Sequence, residues 1–211
     1  MKKIIILLVF IFSLSINLNV LLKEDNSFDI TNNRFNNYEE EYKIGVLKIV
    51  NTNFDKVLVQ TTDNTFFLNH DINGNNSNVG SVFLDYRNKL GDRKLLVYGH
   101  NSKTLKEAPF HFLENYLDLT FSNKYNSLVL ETTDNTFNYQ LFTVMVVSND
   151  FQHVNLNWSD AGYVDHIAWL KNNSIFDFKV DVSNNDQIIL FQTCYYEPNN
   201  SYLIVGWKKI A

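Results

Sequence analysis

The sequence predicts an all-β fold with minor helices, a closed barrel of about eight strands carrying one or two surface helices. Three observations lead there. From Tyr42 onward, short apolar stretches alternate with turns rich in Asn, Asp and Gly. Only one long stretch carries a helical pattern. The composition, 45% hydrophobic and 15% aromatic over 211 residues, is enough to bury one full core.

The predicted strands, each bounded by turn residues, are Gly45–Ile49, Lys56–Gln60, Ser81–Leu84, Lys94–Tyr98, Ser127–Thr132, Phe137–Val147, Gln187–Thr193 and Tyr202–Lys208. The main helix is predicted at Ser159–Lys171, with Ser159 as its cap and Val164, Ile167, Ala168 and Leu170 along one side. A shorter helix is expected at Ala108–Tyr116. The hexapeptide TTDNTF occurs at 61–66 and again at 132–137. No other segment echoes that spacing, so it indicates turn chemistry and no duplicated fold.

Ahead of the barrel, Lys2 and Lys3 precede an apolar run from Ile4 to Phe12 and a softer stretch through Leu22. About 19 residues at roughly 1.5 Å each just span a bilayer core of about 30 Å. Residues 1–23 are therefore expected to be a signal-anchor transmembrane segment, with the basic pair cytoplasmic and the remainder outside. The alternative is a cleaved signal peptide, against which no A-x-A-like site follows. Residues 24–41 are polar and charged, expected as a stalk or short N-terminal helix. Residues 42–211 form the expected β domain.

Composition excludes several functions. A net charge of −5 and a pI near 5.5 argue against a nucleic-acid partner. A single cysteine rules out an intrachain disulfide. The five histidines never stand four apart, so no metal is expected, and no phosphate or dinucleotide loop appears. Asp63, Asp71 and Asp85 are predicted turn residues. No cofactor is expected.

Two segments carry candidate chemistry. In KLLVYGHNSK (94–103), an apolar strand ends in Gly99-His100-Asn101. In QIILFQTCYYEPNNSYLIVGWKK (187–209), a strand ends in Thr193-Cys194, followed by a polar turn and another strand. A free thiol near pKa 8.5 is only a few per cent thiolate at neutral pH and gains from an adjacent imidazole. Cys and His at two strand ends are thus candidates for nucleophile and acid/base partner.

From about Tyr42 to Ile210 the chain resembles a class B sortase. The matching segments are IGVLKI (44–49), VLVQTTDNTFFLNHDINGNNSNVGSVFLDYRN (57–88), VYGHN (97–101), TTDNTFNYQLFTV (132–144) and TCYYEPNN (193–200). The resemblance implies an eight-stranded sortase barrel tethered to the membrane of a Gram-positive cell. It implies a cysteine transpeptidase that cleaves a C-terminal sorting signal of surface proteins and passes them to a peptidoglycan amine or to water. His100 and Cys194 match the family's histidine and cysteine, and Asn101, Gln192 and Thr193 fall where substrate contacts are expected. The family's arginine position is Tyr202, eight residues after the cysteine, and Gln192 replaces a small serine. Tyr202 is the expected oxyanion donor, with Lys208 and Arg87 as further candidates. A sortase-like barrel that binds sorting-signal peptides without turnover is the alternative.

Overall fold

The protein is described by a computed structural model covering residues 41–198 and 200–210. The expected anchor at 1–23 and the stalk up to residue 40 lie outside the described residues. Among the described residues, no helix is long and apolar enough to cross a membrane.

Eight strands close a barrel: β1 (Lys43–Ile49), β2 (Asp55–Val59), β3 (Val82–Leu84), β4 (Lys94–Tyr98), β5 (Ser127–Glu131), β6 (Thr136–Val147), β7 (Ile188–Tyr195) and β8 (Ser201–Ile210). Their order around the barrel is β1-β2-β3-β4-β7-β8-β6-β5, with β5 pairing back to β1. All eight predicted strands are present. β7 runs on through Cys194 to Tyr195, so the cysteine lies within the strand and not beyond its tip.

Alternation along each strand sorts side chains onto two faces. Leu95, Val97, Ile189, Phe191, Leu203, Val205 and Trp207 point into the barrel, where Phe54, Phe110 and Tyr116 join them. Leu96, Ile188, Leu190 and Ile204 point outward. A helix, α2, covers this outer cluster; it spans Asp160–Asn172 and is capped by the Ser159 side chain accepting from Gly162 N–H. Its buried residues are Tyr163, His166, Ile167 and Leu170, the i, i+3, i+4, i+7 pattern of one helix face. The predicted face is therefore corrected. Val164 and Ala168 are exposed, because Tyr163 and His166 bury their rings in positions that look polar on paper. Each fully buried Leu or Ile in this cluster contributes about 1.5–3 kcal/mol.

The helix expected at Ala108–Tyr116 is instead a 3₁₀ segment, His111–Leu117, followed by a short helix, α1 (Leu119–Lys124). Asp118 caps α1 by accepting from Phe121 N–H at 2.7 Å. The two TTDNTF copies take different forms. In the first, Asp63 accepts from Thr65 and Phe66 N–H at the entry to a 3₁₀ turn. In the second, Thr132 and Asn135 close the β5–β6 turn.

Candidate active site

β4 and β7 are parallel neighbours, with Tyr98 opposite Gln192. Two residues further on, the two chains bring His100 and Cys194 to one edge of the barrel. Both line a cavity of about 370 Å³ together with Tyr98, Gln192, Thr193 and Tyr202. β8 supplies Tyr202 as the direct antiparallel partner of Cys194. The cavity opens on the outer face of the barrel, since Leu190, Gln192 and Cys194 alternate with the inward Phe191 and Thr193.

The backbone around His100 is clamped. Thr193 is buried, and its hydroxyl donates to Gly99 O at 2.7 Å. Phe110 N–H donates to His100 O at 2.8 Å. Gly99 is required by close approach, because a Cβ there would stand 2.8 Å from the Phe110 ring. The His100 ring is half-buried, and its Nε2–H donates to Leu68 O at 2.6 Å. With the proton on Nε2, Nδ1 is the nitrogen left to accept one.

Asn101 is buried and its amide is spent on protein partners. Its Nδ2 donates to Glu114 Oε1 at 2.6 Å and to Cys194 O at 3.1 Å, while Oδ1 pairs with His111 Nδ1 at 3.0 Å. It thereby ties the histidine loop to the cysteine's own carbonyl. The Oε1 of Gln192 pairs with His153 Nε2 at 2.8 Å. Tyr202 is partly buried, with its ring 5.7 Å from Phe151 and 6.2 Å from His153.

Cys194 is exposed at the cavity, yet burial by the surrounding strands pushes its thiol pKa up. Among the described residues, its Sγ has no hydrogen-bond partner. At neutral pH the resting thiol is thus uncharged.

Neither alternative cation reaches the cavity. Arg87 pairs with Asp85 at 2.7 Å and lines a separate cavity of about 570 Å³ with Arg93 and Lys94. Lys208 is bound to Asp186 at 3.1 Å and Asp181 O at 2.8 Å. It stands six residues along β8 from Tyr202, about 20 Å at roughly 3.3 Å per residue.

Two features were not legible in the sequence. His153 is a lone histidine in a loop, and no local signal marks it. Asp85 was expected as a turn residue. It does accept from Arg87 N–H at 2.9 Å, but it is also fully buried and accepts from Arg87 Nε, Tyr98 OH and Asn64 Nδ2. Burial pushes its carboxyl up, but the Arg87, Tyr98 and Asn64 donors outweigh that and hold it below the usual range. Through Tyr98 and Asn64, Asp85 stiffens one wall of the cavity that His100 and Cys194 line. Among the described residues, no group of three or more His, Cys, Asp or Glu is arranged to hold a metal ion.

No protein-family model matches the chain. It is 29% identical over 159 residues to sortase B of Listeria monocytogenes, an alignment covering 74% of this chain and 64% of that one. The chain thus spans less than two thirds of that relative's length. Among solved structures, sortase B of Clostridium perfringens superposes with a TM-score of 0.75 at 26% identity, covering 80% of this chain and 94% of the other. A Staphylococcus aureus sortase B–substrate complex shares the fold, with a TM-score of 0.73 at 23% identity, covering 85% and 83%. The described domain is a sortase-type barrel, and its relatives in sequence and in structure support a class B sortase.

Proposed function

We propose that this protein is a cysteine transpeptidase that cleaves a C-terminal sorting signal through a thioester at Cys194. The observation that carries this reading is the shared cavity, in which Cys194, His100 and Tyr202 line one wall system on the outer face. His100 Nδ1 takes the thiol proton, and the sulfur attacks the scissile carbonyl carbon. The peptide C–N bond breaks as the imidazolium returns the proton to the departing amine. An incoming amine of peptidoglycan, or water, then gives up a proton to His100 and displaces the sulfur. Tyr202 stands in the family's arginine position, and its phenol donates to the developing oxyanion. The S. aureus relative is solved as a substrate complex on the same fold. The chemistry calls for no metal or organic cofactor. On this reading the N-terminal segment tethers the enzyme to the cell membrane, with the catalytic domain outside.

A second reading is a barrel that binds such peptides without turnover. It is favoured by the raised thiol pKa and by the absence of an arginine among the described residues lining the cavity. A library of fluorogenic sorting-signal peptides separates the two. Wild type is expected to cleave at least one member, Cys194→Ala none, and His100→Ala at least about 100-fold more slowly than wild type, the scale of lost acid–base catalysis. Cleavage that survives Cys194→Ala overturns the thioester route.

A further inference from the structure

We propose that His153 is a positioning residue that orients the Gln192 carboxamide, so that the Gln192 NH₂ group donates to the substrate carbonyl held beside Cys194. The proposal rests on the acyl-transfer reading and extends it to a residue 41 positions before the cysteine.

The geometry begins with the backbone of Gln192, which cannot move. It is paired to Tyr98 on one side and Ile204 on the other, in the middle of the β4-β7-β8 sheet. Only its side-chain torsions are free. His153 removes that freedom by holding Oε1 at 2.8 Å. An amide oxygen is an acceptor, so His153 must carry its ring proton on Nε2. With the oxygen taken by His153, the two N–H donors of the carboxamide are left over on a residue that lines the Cys194 cavity. Among the described residues, Gln192 Nε2 has no protein partner.

His153 is built to stay in that one state. It is fully buried, with Phe151 and Tyr202 beside it. Its Nδ1 is buried with no hydrogen-bond partner. A protonated ring would add a second N–H with nothing to accept it, in an apolar setting. Burial, then the nearby Lys94 charge, pull its pKa down to about 4 despite the Gln192 hydrogen bond, so the ring is neutral at neutral pH. A neutral, fixed donor suits the orienting task. Only the other neutral tautomer, with a bare Nε2, would call for the Gln192 NH₂ instead and turn the amide over.

The placement also matters for Tyr202. The same histidine ring lies 6.2 Å from the Tyr202 ring, so one buried side chain packs against the residue in the arginine position and hydrogen-bonds the residue in the serine position. Both departures from the family motif noted above, at positions 192 and 202, therefore meet at His153.

The test uses the purified full chain and the peptide, from the library above, that Cys194→Ala binds most tightly by fluorescence anisotropy. His153→Phe keeps the ring and removes the donor; His153→Gln restores an N–H near the Nε2 position. Expected for His153→Phe is a fall in kcat/KM of about 10-fold with the rate of Cys194 alkylation by iodoacetamide unchanged, and His153→Gln recovers most of the loss. In a Gln192→Leu background, His153→Phe has no further effect on kcat/KM or on peptide affinity. Wild-type kinetics in a folded His153→Phe variant overturn the proposal, and so does an equal loss in the Gln192→Leu background, which would mark a packing role. If wild type binds the peptide but does not cleave it, the acyl-transfer reading fails alone. The positioning role is then judged by affinity, where His153→Phe must weaken binding only when Gln192 is present. A library in which no peptide binds overturns both.

Discussion

Cys194 and Tyr202 are Cα partners in the β7–β8 ladder, with both side chains on the outer face of the barrel. Directly opposed residues in an antiparallel pair keep their Cβ atoms about 4.5–5.5 Å apart. The two side chains therefore leave the sheet side by side, and the Tyr202 rotamer sets how near the phenol hydroxyl comes to the thiol. This register is what the proposed oxyanion role of Tyr202 rests on.

If the phenol donates to the oxyanion, Tyr202→Phe should lower kcat/KM by about 10- to 100-fold, from a neutral hydrogen bond of about 0.5–1.5 kcal/mol, strengthened by developing charge. The thermal midpoint should barely move, because the ring keeps its contacts with Phe151 and His153. Tyr202→Arg should raise kcat/KM, since a guanidinium offers a charged fork of donors. Unchanged kinetics in the Phe variant would assign Tyr202 to packing.

The thiol makes a separate prediction. Burial raises its pKa, so the rate of Cys194 alkylation should climb with pH to a midpoint above the usual thiol value of about 8.5. A midpoint below 7 would instead show a resting thiolate–imidazolium pair, and the neutral starting state would be wrong.

Asp85 predicts acid sensitivity. Its folded pKa lies below the ordinary carboxylate value of about 3.9. The stabilisation is therefore present above about pH 4 and is lost as pH falls through the folded pKa. Asp85→Asn should cost about 2 kcal/mol at pH 7, the scale of hydrogen bonds to a charged group, given that Arg87 is partly solvated. Urea unfolding at a series of pH values checks this; the gap between wild type and variant should close below pH 4.

Lys94 predicts the opposite end of the scale. Its ammonium is buried, donating to Asn155 O at 2.7 Å and lying 3.0 Å from His166 Nε2. Burial, then the Arg87 charge, pull its pKa to about 7. The unfolded chain holds that proton up to about pH 10.4, so stability should rise with pH from 7 to 9. The slope should be about 1 kcal/mol per pH unit and should vanish in Lys94→Met. Above that window the buried Tyr98, Tyr116 and Tyr163, whose pKa values burial raises, pull the other way. A flat wild-type profile between pH 7 and 9 would refute the neutral folded lysine.

Local chemistry is what the sequence determined by itself. Apolar stretches between turn residues marked all eight strands, with Lys94–Tyr98 placed to the residue. Ser159 announced its helix because a cap is a contact between near neighbours. That His100 and Cys194 come to one edge of the barrel was legible because two strand ends of matching character resembled a known family. What needed contacts between distant segments stayed hidden. The two TTDNTF copies have one sequence and two structures, since one closes a tight turn between antiparallel β5 and β6 while the other opens the long crossover between parallel β2 and β3. The helix that Asp118 caps was missed, because six residues are too few to show a periodicity. Asp85 showed its turn and not its burial, because Tyr98 and Asn64 reach it from 13 and 21 residues away. His153 meets Gln192 across 39 residues. Propensity and capping act within a few residues and so are written in order along the chain. Barrel closure alone decides which buried polar groups find partners, because desolvation is set by everything that packs around them.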